Sequence, residues 1–214
     1  GAATGGSPAP RDEPASPEQL GKRLFEHKSL SATGTQSCAS CHDAERAFTG
    51  SADAQRPEFP VARGARSDQL GNRNVPTAMY MQYSPAFSFV KEEDEDEWVP
   101  TGGQFWDGRA NNLSEQAAGP FLNPREMAML NEQAVIDAVR KADYAWMFEA
   151  LYGVSAWDEV ATAYRHVTDA IAAFEQTDTF NPFSSKFDGF LRGEVQLSEQ
   201  ETQGFELFKD ETKA

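Results

Sequence analysis

The sequence predicts an all-α fold in which long loops enclose a single chemical site. Three observations carry this: capped helical patterns before residue 30 and after residue 131; a Gly- and Pro-scattered stretch from Thr49 to Thr101 with little periodicity; and both cysteines and one of three histidines gathered in "SCASCH", residues 37–42. Long aperiodic stretches in compact proteins are usually functional, and here they are expected to wrap the site, with room for paired short strands.

The first 16 residues, rich in Gly, Ala and Pro, read as a flexible leader or tether. Order is expected from Ser16: "SPEQ" offers Ser16 as N-cap, Pro17 at the first helical position and Gln19 as the returning member of a capping box. Leu20, Leu24 and Phe25 form the buried stripe, and His27, beside Lys28 near the helix end, reads as a solvated residue. The acidic run "KEEDEDEW" at 91–98 reads as a solvated loop tip; docking of a cationic protein or loose binding of a divalent cation are the sharper alternatives.

After Asn131 three helices are expected. Asn131 caps "EQAVIDAVRKA", Asp143 caps "YAWMFEALY" with Gly153 closing it, and Ser155 with Asp158 boxes the start of the next. In that helix Val160, Ala163, Tyr164, Val167, Ala170, Ile171 and Phe174 share one face, a core stripe that leaves His166 at the surface. A final helix opens at Ser198 with Glu201 completing a box, and Phe205 and Phe208 as its buried side.

Fifteen Phe and four Trp among 214 residues argue for a sizeable core. A net charge of −15 disfavours nucleic acid and anionic membrane surfaces and would steer a cationic partner toward the chain. No run is long enough to span a membrane.

Three chemistries compete for "SCASCH": a dithiol switch, half a zinc site, or covalent attachment of a c-type haem. Zinc needs four ligands, and beyond this stretch only His27 and His166 remain, at no finger-like spacing. A thioredoxin-like site needs a βαβ context that the surrounding pattern does not supply. The haem reading gives every residue a chemical role, since one helical turn presents Cys38 and Cys41 to the two vinyl groups and His42 reaches the iron. The sixth position then decides between electron transfer and chemistry. Covalent haem attachment implies a periplasmic location, with a signal peptide removed before residue 1. Downstream, "FWDGRANNLSEQAAGPFLNPREM" at 105–127 offers a carboxylate and an amide suited to peroxide handling beside a haem face.

"LGKRLFEHKSLSATGTQSCASCH", "GNRNVPT", "FWDGRANNLSEQAAGP", "NPREM", "AIAAFEQT" and "FDGFLRGEVQLSEQETQGFELF" follow one another in the order seen in bacterial dihaem cytochrome c peroxidases and their MauG-like relatives. The chain resembles the N-terminal, peroxidatic haem domain of that family over residues 18–208. The resemblance implies a cytochrome c-like fold with long loops around one covalently attached c-type haem. It also implies that Glu126 is the distal-pocket acid, Gln116 the amide beside it, Pro120 a distal-pocket proline, Trp106 the relay between two haems and Asn74 a side-chain ligand of calcium. Apart from the resemblance, Glu126 reads as an early-helix acid, Trp106 as a core aromatic and Asn74 as a turn residue before Pro76. Asp107 and Arg109 are expected to hold the loop or a haem propionate.

Two departures from the family pattern stand out. No histidine lies between Asp43 and Arg73, where many dihaem peroxidases carry a distal one; Met79 or Met81 are the weaker substitutes. A second C-x-x-C-H is due just past the last residue, so 1–16 reads as leader, 17–195 as the haem domain, and 196–214 as the first helix of a second, apparently missing one. The implied activity is hydrogen peroxide reduction with electrons from a second haem and a small donor protein. The alternatives are oxidation of tryptophan or other side chains of a partner protein, and a non-enzymatic monohaem carrier or sensor. A homodimer accords with the resemblance.

Overall fold

The computed structural model describes residues 14–50, 61–91, 97–210 and 212. The leader through residue 13, residues 51–60 of the long loop and 92–96 of the acidic run lie outside the described residues, so expectations for those segments do too. The chain divides into two compact units, Gly1–Phe180 and Asn181–Ala214.

In the first unit, α1 (Pro17–Glu26) carries the capping box between Ser16 and Gln19, and Leu20, Leu24 and Phe25 are buried. It crosses α6 (Val160–Glu175) so closely that a Cβ on Gly21 would lie 1.9 Å from the Ala170 carbonyl oxygen. Only glycine permits that approach. The α6 stripe read from the sequence is buried from Ala163 to Phe174, with Val160 packed at its edge. Between these helices in sequence come α2 (Cys38–Cys41), α3 (Leu113–Leu122), α4 (Glu132–Arg140) and α5 (Ala145–Tyr152). Val135, Ile136 and Val139 of α4 and Phe148 of α5 close the core, Phe148 stacking on Trp157 at 3.9 Å.

The long loop holds the paired short strands for which the mostly helical reading left room, an antiparallel pair β1 (Ser88–Val90) and β2 (Val99–Thr101), so the fold is not purely α. Phe89, Val90 and Val99 favour extended backbone, and Pro100 is tolerated because neither strand has a second neighbour among the described residues. The molecule is thus mostly helical with a two-stranded sheet.

Four local readings are also corrected. Asp143 does not cap α5; both its carboxylate oxygens accept from the Arg23 guanidinium at 2.8 and 2.7 Å, leaving Tyr144 at the cap without a side-chain bond. Ser155 and Asp158 lie in and after a 3-10 turn, Val154–Trp157, and the cap of α6 is Glu159, which accepts from Thr162 N–H at 2.7 Å. His27 is half-buried rather than solvated, its Nδ1 2.6 Å from the Tyr144 hydroxyl. His166 is likewise half-buried, stacked on Tyr152 at 4.0 Å.

In the second unit, α7 (Lys186–Leu191) and α8 (Glu199–Lys209) are joined by Lys186 to the Glu201 carboxylate and by Phe205 against Phe187 and Phe190. The box between Ser198 and Glu201 forms. Phe205 is half-buried, but Phe208 is 86 % exposed, because it lies off the side of α8 that meets the α7 aromatics.

Candidate active site

The cavity is built around α2. The Ser37 N–H donates to Ser40 Oγ at 3.0 Å across the start of this single turn, which presents Cys38 and Cys41 to the same cavity as unpaired thiols. Burial pushes the Cys41 thiol up to about 11 and Cys38 further, with Glu126 adding to both and Glu175 to Cys38. Both sulfurs are therefore protonated thiols in the folded chain.

His42 follows with its Nδ1 2.7 Å from the Phe48 carbonyl oxygen. A carbonyl can only accept, so Nδ1 carries the hydrogen and Nε2 is the nitrogen for ligation. The carbonyl reaches this place because Ala47 and Phe48 both take positive φ, +54° and +52°. Burial lowers the imidazole's proton affinity, with the Phe48 contact opposing it, and a neutral ring is the form that binds iron.

Gln116 and Pro120 reach the cavity from α3 and Glu126 from the turn that follows it. Glu126 is thus not in a helix. Its backbone N–H donates to Asn123 O at 3.0 Å, and its Oε1 accepts from Asn123 Nδ2 at 2.8 Å. Burial raises its carboxyl above the ordinary carboxylate range, partly offset by the Asn123 hydrogen bond and the Arg109 charge.

The rim is the loop 102–110, pinched by the Gln104 N–H donating to Ala110 O at 2.7 Å. Asp107 accepts from Arg73 at 2.8 Å and from Arg109 at 2.7 Å, and the two guanidinium groups hold its carboxyl near 2. Arg109 in turn lies 3.5 Å over the Phe105 ring, so the Asp107–Arg109 pair holds the loop. Trp106, read from the sequence as a core aromatic, is 61 % exposed at this rim. Its Nε1–H donates to the Asn74 carbonyl oxygen at 2.8 Å, which ties the aromatic to the "RNVP" turn without burying it.

One cavity of about 370 Å³ is lined by Cys38, Cys41, His42, Asn74, Trp106, Gln116, Pro120 and Glu126. Every residue to which the resemblance assigns a role therefore lines one cavity. Of the two methionines considered as axial substitutes, Met81 lines the cavity and Met79 packs against the core. The donor set fits a c-type haem: two thiols one helical turn apart, a neutral imidazole, a carboxyl and an amide all line the one cavity. Calcium is different. Among the described residues no group of three or more His, Cys, Asp or Glu is arranged to hold a metal ion, and Asn74 is exposed, so no step is derived through calcium.

Three residues of this site were missed in the sequence. Phe48 acts through its carbonyl, which no side-chain pattern reveals. Asn123 had a signal, since Asn before Pro marks a turn start. Glu175 lay inside the recognised "AIAAFEQT" and is 7 % exposed in the cavity wall, a burial that its place beside Phe174 on the core stripe foreshadows.

The family model for di-haem cytochrome c peroxidase matches residues 15–196. The chain belongs to that family. It is 40 % identical over 190 residues to the methylamine utilization protein MauG of Paracoccus denitrificans, covering 88 % of this chain and 48 % of that protein. It is 35 % identical over 198 residues to the cytochrome c551 peroxidase of Nitrosomonas europaea, covering 92 % and 50 %. The crystal structure of the diheme peroxidase BthA from Burkholderia thailandensis superimposes with a TM-score of 0.78 at 32 % identity, covering 92 % of this chain and 47 % of that one. The chain spans about half the length of the curated relatives it matches. As a di-haem cytochrome c peroxidase family chain, it has no described helix long and apolar enough to cross a membrane.

Proposed function

We propose that residues 17–195 form the peroxidatic haem domain of a periplasmic di-haem enzyme that reduces hydrogen peroxide, with residues 196–214 opening a second haem domain that relays electrons from a small donor protein. The observation that carries this reading is that Cys38, Cys41, His42, Gln116 and Glu126 line one cavity. Cys38 and Cys41 would hold the haem through thioethers and His42 through Nε2, and the bound haem would supply the redox chemistry of peroxide cleavage. Two electrons and two protons convert one peroxide to two waters. Glu126 accepts the proton of the inner peroxide oxygen and returns it to the outer one as water leaves. Its burial, which raises the carboxyl, suits it to hold that proton transiently. The Gln116 amide orients peroxide, and Pro120 keeps that wall apolar. Asn74 as a calcium ligand rests on the family resemblance.

A second reading sends the oxidising equivalents to side chains of a partner protein, as in MauG-like enzymes. It is favoured by the lack of histidine between Asp43 and Arg73, and Trp106 at the cavity rim is the relay it would use.

Glu126→Gln keeps the shape and removes the proton acceptor. It is expected to slow the reaction of the haem-loaded protein with peroxide by about 10²–10⁴-fold, read by stopped-flow absorbance, with the resting spectrum retained. A variant reacting at the wild-type rate would sink the assignment of Glu126.

A further inference from the structure

Asn123 ends α3, its N–H donating to the Gly119 carbonyl oxygen at 3.2 Å, and begins the turn that carries Glu126, in which its other polar groups are used. Its backbone carbonyl accepts from the N–H groups of Glu126 and Ala128, both at 3.0 Å. Its side-chain Oδ1 accepts from Arg125 N–H at 3.0 Å. The remaining group, the Nδ2 amide, donates to Glu126 Oε1 at 2.8 Å. The turn needs only the two oxygens; the amide is directed at one atom of the acid.

We propose that Asn123 is the positioning residue of the peroxide-handling acid: its amide engages Glu126 Oε1 as an acceptor, so that the proton Glu126 takes up is carried on Oε2. The inference rests on the reading of Glu126 as the proton shuttle. A hydrogen bond donated to a carboxyl oxygen selects that oxygen as the carbonyl-like one when the group is protonated, because the amide hydrogen and an acid hydrogen would collide on the same lone-pair side. Asn123 thereby chooses which atom delivers the proton. It also sets when: a bond donated to the carboxylate favours the charged form, opposing the burial that raises Glu126. The other titratable groups acting with Glu126 are Arg109 on the rim loop and Cys38 and Cys41 on α2. The thioether linkage takes the two thiols out of titration, leaving Asn123 and Arg109 as the local controls.

The test is an infrared pH titration of the haem-loaded full chain, with the protonated carboxyl band of Glu126 assigned by its loss in Glu126→Gln. Asn123→Asp keeps the oxygen that Arg125 N–H needs, so the turn is retained while the donor is lost. Asn123→Ser keeps a shorter acceptor without reach to Glu126, and serves alone if the aspartate variant misfolds. Both are expected to move the Glu126 midpoint upward by about one pH unit or more, and the serine variant to raise the band's frequency as its carbonyl oxygen loses a donor. The acid limb of the peroxide reaction should move with the midpoint. A midpoint and band unchanged in both variants would overturn the proposal. If instead Glu126→Gln reacts normally while the Asn123 variants shift the infrared midpoint, the coupling stands and the shuttle reading fails.

Discussion

Glu175 is the residue whose environment departs furthest from its chemistry. It ends α6 in the cavity wall, 7 % exposed, and burial pushes its carboxyl up to about 8 from an ordinary 4.5. Between those two values the folded chain holds one proton more than the unfolded chain. Stability from this group is therefore full below about 4.5 and falls as pH rises through the window to about 8, with a slope of at most about 1.4 kcal/mol per pH unit. Glu175→Gln should remove this slope, so that urea midpoints of wild type and variant diverge in the variant's favour from pH 5 to pH 8. Parallel midpoints would show that the carboxyl ionises alike in both states. His42 was legible from its motif at this scale, whereas Glu175 and Asn123 matter through neighbours that only the folded chain supplies.

At the scale of elements, the α1–α6 crossing positions the site, since α2 follows α1 directly and Ile171 and Glu175 of α6 line the cavity. Gly21→Ala would set a methyl 1.9 Å from the Ala170 carbonyl oxygen and 2.8 Å from Phe174 Cβ. Backbone cannot yield as a flexible side chain can, so the variant is expected to lose at least about 2 kcal/mol by denaturant unfolding of the haem-loaded protein. An unchanged midpoint would mean that the helices separate at no cost. Elements whose signals are local were legible: the Ser16, Asn131 and Ser198 caps all formed. Those decided at long range were not. Asp143 was taken from its helix by Arg23, which is 120 positions away. Helix α3 was hidden by Gly119 and Pro120, which normally interrupt helices. It persists because Leu113, Ala117 and Phe121 are buried and the Tyr164 hydroxyl donates to Ala118 O at 2.7 Å. The strand pair was foreseen only as a possibility, having no alternation with a buried face to announce it.

For the whole molecule, the order of six motifs along 214 residues already implied one site, and the fold supplies it by bringing α2, the loop 102–110 and the 123–128 turn to one cavity. The net charge of −15 would draw a cationic partner to this chain, and that association would weaken as salt screens it. The central claim is that His42 binds the iron from one side and leaves the Glu126 side open to peroxide. The low-temperature EPR spectrum of the ferric, haem-loaded protein tests this most directly. An open sixth position predicts a high-spin ferric signal from the His42-ligated haem, which the sequence without histidine between Asp43 and Arg73 makes the resting state. A wholly low-spin spectrum that persists when any second haem is reduced would place a strong ligand such as Met81 on the iron, contradict the peroxide site and leave electron transfer in its place.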